Sequence, residues 1–304
     1  MKRDFLALAE LTRAELDEIL ELSARLKREL KAGQRPPLLA GRNLAMIFEK
    51  PSLRTRVTFE VGMTQLGGYA VYLTPNDIRL GERESVADIA RNLERWVDFI
   101  MARTFAHDTL VELAGHAAIP VINALSDRSH PCQVLSDCLT LIEHRGRLDG
   151  LRIAFLGDGN NVANSWIEAA ARFGFHFLLA CPPGYEPDAE TVRQAQAAGA
   201  SVTITHRPDD AAAKADVLYT DVWASMGQEE EAAARKQAFQ PYQLNERILR
   251  LAKRDALAMH CLPAHRGEEI TSEVMDGPQS IVFDQAENRL HVQKGILVWL
   301  NSHR

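Results

Sequence analysis

The chain contains the stretch Phe48-Glu49-Lys50-Pro51-Ser52-Leu53-Arg54-Thr55-Arg56, which begins at the end of an apolar run, residues 44–48. Residues 53–66 have the periodicity of an amphipathic helix, and a Gly-Gly pair follows them. The stretch therefore predicts the end of a strand, a turn and the first turn of a helix. Free backbone N–H groups and the positive end of the helix dipole favour an anion at such a place. Because residues 52–56 add two hydroxyls and two guanidiniums, we predict a site for a phosphate or a similar oxyanion.

The main alternative for this stretch is a capped helix start with exposed arginines, since serine is a common N-cap residue. Capping does not account for both Arg54 and Arg56, because cations are mildly unfavourable at a helix N-terminus. An anionic ligand removes that conflict, and we therefore prefer the phosphate interpretation.

The rest of the chain has the pattern of two α/β domains. Strand-like apolar runs alternate with helix-like segments, which favours parallel sheets covered by helices on both faces. We predict two doubly wound parallel-sheet domains joined by linking helices, with a hinge near 130–150 and a C-terminal helix that returns to the N-terminal domain. The predicted domains are 1–135 together with 286–304, and 136–285. The predicted strands are 44–48, 69–73, 98–102, 120–123, 151–156, 175–180, 202–205, 215–220 and 256–260, and the predicted helices are 1–35, 53–66, 85–96, 108–116, 161–173, 188–199 and 286–300.

The composition indicates a globular protein without a nucleic-acid or membrane partner. Of the 304 residues, 46% are apolar, and 41 acidic against 35 basic residues give a net charge of −6. The N-terminus shows no targeting pattern, and no run of about 18 apolar residues occurs, so a cytoplasmic protein is expected. The 4 cysteines form no Cys-x-x-Cys pair and complete no zinc-type ligand set. We expect reduced thiols, no metal and no cofactor.

Polar clusters follow six of the predicted strands. Because ligands bind beyond the carboxyl ends of the strands in open α/β sheets, we expect these clusters to face one ligand site. The clusters are 52–56, Arg103, 130–133, 158–161, 221–227 and 260–263.

The Gly-rich segment 157–161 resembles a dinucleotide-binding loop only in part. Val162 stands where the third glycine or alanine belongs, and Cys181-Pro182-Pro183 follows the next strand in place of a ribose-binding acid. A nicotinamide-dependent dehydrogenase is therefore disfavoured. We interpret the segment as a tight turn that presents Asn160 and Asn161.

Residues 221–227 place a carboxylate, a hydroxyl and a flexible backbone at one strand end. An ordinary Asp-initiated loop is the simpler interpretation. The functional interpretation is a pocket for an amino-acid head group, in which Asp221 and Ser225 take the ammonium while Asn161 and the Met226 backbone N–H take the carboxylate.

His130 and Cys261 each have an ordinary structural interpretation as well. For His130 the residues leave two interpretations open, a core histidine and a ligand-binding one. Pro131 suits the first turn of a following helix and so predicts a helix start beside His130. Cys261 would normally be a buried thiol, and no histidine partner supports it as a covalent nucleophile. We expect residues 260–263 to orient amine groups through carbonyls and the thiol.

These motifs together resemble the aspartate/ornithine carbamoyltransferase family, over most of the chain from Phe48 to Arg289. Ser-x-Arg-Thr-Arg at 52–56 and His-Pro-x-Gln at 130–133 belong to the family pattern. Asp-x-x-x-Ser-Met-Gly at 221–227 and His-Cys-Leu-Pro at 260–263 indicate its ornithine branch. One departure is Leu53, where many relatives have threonine.

The resemblance implies an enzyme of arginine metabolism that transfers the carbamoyl group of carbamoyl phosphate to the δ-amine of L-ornithine, giving L-citrulline and phosphate. It implies a carbamoyl-phosphate-binding N-terminal domain, an ornithine-binding domain, and a homotrimer or a multiple of trimers in which the loop of Arg79 reaches a neighbouring subunit's site. A non-catalytic homologue would have lost part of the site, which is intact here. The implied carbamoyl-phosphate ligands are Ser52, Leu53, Arg54, Thr55, Arg79, Arg103, His130, Gln133, Cys261, Leu262 and Arg289; the implied catalytic residues are Arg54, Thr55, Arg103, His130, Cys261 and Arg289; and the implied ornithine ligands are Asn161, Asp221, Ser225 and Met226.

Overall fold

A computed structural model describes residues 2–224 and 229–303. The chain forms two compact units: unit 1 comprises residues 1–139 and 287–304, and unit 2 comprises residues 140–286. Each unit contains a parallel sheet with interleaved helices, so the predicted α/β fold class is confirmed. Among the described helices, none is both long and apolar enough to cross a bilayer.

Unit 1 is built on a sheet with the strand order β2-β1-β3-β4, in which all neighbours are parallel. Its strands are β1 (Asn43–Phe48), β2 (Tyr69–Leu73), β3 (Phe99–Arg103) and β4 (Val121–Leu125). Its helices are α1 (Arg13–Lys31), α2 (Leu53–Gln65), α3 (Pro75–Ile78), α4 (Val86–Leu93) and α5 (His107–His116), followed by α6 (Pro131–Arg145), which leads into unit 2.

The central strands β1 and β3 are almost wholly buried, as expected for parallel strands covered on both faces. Their register pairs Phe48 with Arg103, the last residue of each strand. The segment that follows β1 and the Arg103 side chain therefore start from adjacent positions at the carboxyl edge of this sheet.

The N-terminal helix is shorter than the predicted 1–35. It begins at Arg13, because Thr12 forms a capping box with Glu15: the Thr12 side chain accepts from the Glu15 N–H at 3.3 Å, and Glu15 Oε2 accepts from the Thr12 N–H at 2.8 Å. The residues before it run beside β4, where Phe5 pairs with Ile122.

Unit 2 is built on a sheet with the order β7-β6-β5-β8-β9, again parallel throughout. Its strands are β5 (Arg152–Leu156), β6 (His176–Ala180), β7 (Ser201–Thr205), β8 (Val217–Thr220) and β9 (Leu257–His260). Its helices are α7 (Asn161–Phe173), α8 (Ala189–Ala197), α9 (Pro208–Ala212), α10 (Ala232–Phe239), α11 (Glu246–Leu249) and α12 (Ser272–Met275), and α13 (Val282–Ser302) leads back into unit 1.

The region of the predicted hinge, 130–150, contains the linking helix α6, and the division between the two units falls within it, between residues 139 and 140. Pro131 is well suited to the start of this helix. One further helix start was wrong. The closing helix begins at Val282 rather than Ala286, directly after Ser280 has formed a bridge with Ala258.

His291, in α13, makes the stability of unit 1 depend on pH. Burial lowers its pKa to about 4, and the nearby charges of Lys294 and Lys27 act in the same direction. Between pH 6.5 and about 4 the unfolded chain therefore binds a proton that the folded chain does not, and stability is lost as the pH falls. We expect His291→Gln to reduce the loss in unfolding free energy between pH 7 and pH 5 by about 2 kcal/mol.

Urea unfolding of the parent and the variant at both pH values measures this difference. His176→Gln, at an exposed histidine, serves as the control and should show the parent's full loss. An equal loss in parent and His291→Gln would show that His291 does not carry the effect.

Candidate active site

Ser52 is the N-cap residue of α2. Its backbone is extended, with φ −161° and ψ 115°, and its Oγ accepts a hydrogen bond from the Thr55 N–H at 3.3 Å. Leu53 is 75% exposed, and because its side chain has no polar atom, it can offer a ligand at the helix start only its backbone N–H. Because the first N–H groups of a helix have no intrahelical acceptor, this terminus can receive an anion.

The two arginines of the 52–56 segment have different surroundings. The Arg56 guanidinium lies 3.9 Å from the centre of the Tyr72 ring, and its Nε lies 3.5 Å from Glu60 Oε2. Arg54 is half-buried and close enough to His130 for its charge to affect that histidine. The structure thus separates Arg54, whose charge acts on His130, from Arg56, which is held by Tyr72 and Glu60.

His130 lies among three arginines of unit 1. Burial lowers the pKa of His130 well below its ordinary value, and the positive charges of Arg289, Arg103 and Arg54 lower it further. The imidazole is therefore neutral at neutral pH and can donate one hydrogen bond from an N–H. Three guanidinium charges around a buried neutral imidazole favour binding of a dianion such as a phosphoryl group.

Arg289 joins three helices of unit 1. It donates from Nη1 to Gln133 Oε1 at 2.5 Å and from Nη2 to Thr55 Oγ1 at 3.2 Å. Gln133 in turn donates from Nε2 to Asp137 Oδ1 at 2.8 Å. These contacts hold the Thr55 hydroxyl and the Gln133 amide in one buried network with an arginine from α13.

Asp137 is a member of this network that sequence reasoning missed. It lies one helical turn after Gln133 and is fully buried, and the available signal was the polar pair that these two residues form at i and i+4. Its carboxylate orients the Gln133 amide, with Nε2 toward Asp137 and Oε1 toward Arg289.

Asp221 is the centre of the candidate site in unit 2. It follows β8, whose last residue pairs with the last residues of β5 and β9, so residues 157, 221 and 261 leave the sheet at the same edge. The carboxylate is only 8% exposed and accepts from Asn160 Nδ2 at 2.8 Å and from Cys261 Sγ at 2.9 Å. Two side chains thus hold an anionic acceptor for a ligand cation.

Asn160 contacts Asp221 directly, donating from Nδ2 to Asp221 Oδ2. Asn160 is the N-cap of α7, and its Oδ1 accepts from the N–H groups of Val162 and Ala163 at 3.0 and 3.1 Å. Asn161 is the first residue of α7 and is half-buried. Sequence reasoning placed both side chains at the turn but assigned no role to Asn160, which positions the Asp221 carboxylate.

The 260–263 loop is held by hydrogen bonds around His260. Leu262 donates its backbone N–H to His260 Nδ1 at 2.9 Å, and its φ of 60° lies in the left-handed region that non-glycine residues rarely adopt. His260 Nε2 contacts Glu269 Oε1 at 3.0 Å. This arrangement orients the Cys261 thiol toward Asp221.

Asp158, a member of the predicted 158–161 cluster, has a structural partner. Arg235 donates to Asp158 Oδ2 at 2.8 Å and to the Trp223 carbonyl at 3.0 Å. Arg235 was not anticipated from the sequence. It ties α10 to the chain that follows Asp221.

The sequence also predicted Ser225, Met226 and Arg79 as site residues. Ser225 and Met226 lie outside the described residues. Arg79 is exposed, follows the short helix α3 and has a φ of 42°. Arg79 therefore extends from the surface of unit 1, and its contribution to a site stays a prediction.

Comparison with protein families gives two matches that together span nearly the whole chain. Residues 3–143 match the model described as the aspartate/ornithine carbamoyltransferase carbamoyl-P binding domain. Residues 149–300 match the aspartate/ornithine carbamoyltransferase Asp/Orn binding domain.

Individual proteins give the same result. The chain is 55% identical over 300 residues to an ornithine carbamoyltransferase of Methanoculleus marisnigri, covering 99% of this chain and 97% of that protein. It resembles the solved ornithine carbamoyltransferase from Pyrococcus furiosus with a TM-score of 0.94 and 50% identity, covering 97% of this chain and 96% of that one. A solved N-acetyl-L-ornithine transcarbamylase is also similar, with a TM-score of 0.88 and 35% identity over 98% of this chain and 99% of that one.

Proposed function

Because this chain belongs to the aspartate/ornithine carbamoyltransferase family, a family of transferases, we propose that it transfers the carbamoyl group of carbamoyl phosphate to the δ-amine of L-ornithine. The products are L-citrulline and phosphate. The observation that supports carbamoyl phosphate as the donor is the position of His130 among Arg54, Arg103 and Arg289.

The proposed reaction begins when the neutral δ-amine attacks the carbonyl carbon of carbamoyl phosphate. A C–N bond forms, the C–O bond to the phosphoryl group breaks, and the departing phosphate accepts the proton that the amine loses. Arg103, Thr55 and the neutral His130 stabilise the oxyanion that develops on the carbonyl oxygen. Arg54 and the N-terminus of α2 stabilise the leaving phosphate. The chemistry needs neither metal nor cofactor, because the donor carries its own leaving group.

Asp221 supports ornithine over an acetylated acceptor. Its buried carboxylate accepts from two side chains, Asn160 and Cys261, and its charge suits the α-ammonium of a free amino acid. Acetylation would replace that ammonium by a neutral amide and leave the carboxylate without a cationic partner. We therefore assign L-ornithine rather than N-acetyl-L-ornithine as the acceptor.

A citrulline assay with carbamoyl phosphate and ornithine tests the proposal. We expect one phosphate released per citrulline and a kcat/KM at least about 100-fold higher for ornithine than for N-acetylornithine, putrescine or lysine. Failure to form citrulline would contradict the transfer itself, whereas a preference for N-acetylornithine would contradict only the acceptor.

The rate should rise with pH above neutrality. An alkyl amine has a pKa near 10, so only about a thousandth of the δ-amine is neutral at pH 7. His130 adds no titration near neutrality, because burial keeps its pKa well below the ordinary value. We expect kcat/KM for ornithine to rise by up to about tenfold per pH unit from pH 7. The KM for carbamoyl phosphate is measured at each pH as a control. A kcat/KM for ornithine that stays constant from pH 6 to 9 would argue against a free amine as the nucleophile.

We also propose a homotrimer or a multiple of trimers, in which the exposed loop of Arg79 completes a neighbour's phosphate site. The proposal is supported by the family membership and by the exposure of Arg79. A solution mass equal to one chain of 33.9 kDa would rule it out. A cytoplasmic role in arginine metabolism belongs to the same proposal. It is consistent with the absence of a disulfide bond at the cysteines Cys132, Cys138, Cys181 and Cys261.

A further inference from the structure

Glu269, in unit 2, has a buried carboxylate that the proposed reaction does not use. The side chain is 0% exposed. Its Oε1 accepts from His260 Nε2 at 3.0 Å and from the His265 backbone N–H at 2.5 Å. Its Oε2 is buried with no hydrogen-bond partner. A buried carboxylate oxygen that lacks a partner is costly, and this position therefore requires a physical explanation.

Two further ligand-type side chains lie close to the Glu269 carboxylate. One ligand atom each from His265, Glu268 and Glu269 can be chosen so that all three lie within 4.8 Å of one another. His265 Nδ1 is 3.8 Å from Glu269 Oε2, which is too long for a hydrogen bond. An imidazole nitrogen and two carboxylates at this separation can converge on one ion.

The backbone around these residues is tied to neighbouring elements. The Leu244 N–H donates to the Glu269 carbonyl at 2.8 Å, and Gln243 Nε2 donates to the Glu268 carbonyl at 2.8 Å. Within the loop, the Gly267 N–H donates to the Ile270 carbonyl at 2.8 Å. Because the chain is already ordered, binding an ion here would cost little conformational entropy.

We propose that His265, Glu268 and Glu269 form a binding site for a divalent transition-metal cation of the zinc type. Zn²⁺ accepts histidine nitrogen and carboxylate oxygen together, whereas Mg²⁺ prefers oxygen ligands alone. Two carboxylates balance the charge of the ion, and the exposed side of His265 leaves room for water as a further ligand. The ion supplies the missing partner of Glu269 Oε2.

Lys236 competes for the same site. Its Nζ lies 2.8 Å from Glu268 Oε1, and both side chains are partly exposed, so this ion pair is weak. A bound cation displaces the ammonium from Glu268. Removing Lys236 should therefore strengthen metal binding, whereas removing a ligand should weaken it.

A second cluster in unit 2, Asp221, His260 and Cys261, also has ligand atoms within 4.8 Å of one another. It contains the residues assigned above to ornithine and differs chemically, because its cysteine would supply a thiolate. Spectroscopy can therefore separate binding at the two places.

Calorimetric titration of the intact, substrate-free protein with Zn²⁺ tests the proposal. We expect His265→Ala and Glu268→Gln each to lower the association constant at least about tenfold, and Lys236→Ala to raise it. Glu273→Gln, an exposed acidic residue of α12, is the control and should bind like the parent. Zinc should also raise the unfolding temperature of the parent more than that of the two ligand variants.

Two results would overturn the metal site. One is an unchanged Zn²⁺ affinity in both His265→Ala and Glu268→Gln while the variants remain folded by circular dichroism. The other is a complex with one Co²⁺ per chain whose spectrum has the strong near-ultraviolet band of a thiolate ligand and is unchanged in His265→Ala. That result would place the single ion at Cys261, because a complex of nitrogen and oxygen ligands lacks the band. Because both measurements omit carbamoyl phosphate and ornithine, their outcome is independent of the proposed transferase activity.

Discussion

Arg54→Ala should lower kcat by about 10²- to 10⁴-fold, equivalent to about 3–5 kcal/mol of transition-state stabilisation. Arg54 is one of the three arginines whose charges act on the buried His130. In the proposed reaction it faces the phosphate as negative charge collects on the departing oxygens. Its loss removes a charge-assisted contact that is most important when the phosphate leaves. Steady-state rates at saturating carbamoyl phosphate and ornithine measure the effect.

Arg56→Ala is the matched control, because Arg56 lies in the same helical turn and carries the same charge. Its guanidinium rests on the Tyr72 ring and beside Glu60, so we expect less than about a tenfold loss. Equal losses in the two variants, or unchanged turnover in Arg54→Ala, would remove Arg54 from the proposed phosphate site.

Asp221→Asn should lower kcat/KM for ornithine by about 30- to 1,000-fold, or about 2–4 kcal/mol. The buried carboxylate accepts from Asn160 and Cys261 and provides the negative charge for the substrate's α-ammonium. Asparagine preserves the shape of the side chain but removes that charge. Affinity for carbamoyl phosphate should be little changed, because Asp221 lies in unit 2 and is assigned to ornithine.

5-Aminopentanoate isolates the charge effect, since it carries the δ-amine and the carboxylate of ornithine but no α-ammonium. Asp221→Asn should leave its slow carbamoylation almost unchanged while it reduces that of ornithine. Asp210→Asn, at an exposed acidic residue of α9, should alter neither substrate. A similar loss for both amines in Asp221→Asn would argue for a structural role of Asp221.

The elements of the fold were largely predictable because their signals are local. Apolar runs such as β1 and β2 and the capped starts of α2 and α4 appear at the predicted places, since a strand end or an N-cap depends on a few adjacent residues. Boundaries failed where a distant partner decides them. Phe5 pairs with Ile122, and the first residues therefore do not extend α1.

Local motifs supplied the residue types of the candidate site, but they did not indicate which of these residues contact one another. Arg289 contacts a residue 156 positions away, Gln133, and one 234 positions away, Thr55. No local pattern indicates such a partner, and Arg289 entered the prediction only through the family resemblance. Asp137 and the role of Asn160 were missed for the same reason, because each residue acts through a side chain that it positions.

The 52–56 segment illustrates what each level determines. The sequence alone determined that a strand ends there, that a helix begins with Ser52 as its cap, and that the segment favours an anion, because these properties depend on neighbouring residues. The family resemblance selected Arg54 and left out Arg56, but only the tertiary structure gave a physical reason for that choice and surrounded His130 with arginines from separate parts of the chain. Only the tertiary structure likewise showed that Glu269 Oε2 is buried without a hydrogen-bond partner, because packing sets the burial of side chains and the distances between remote ones.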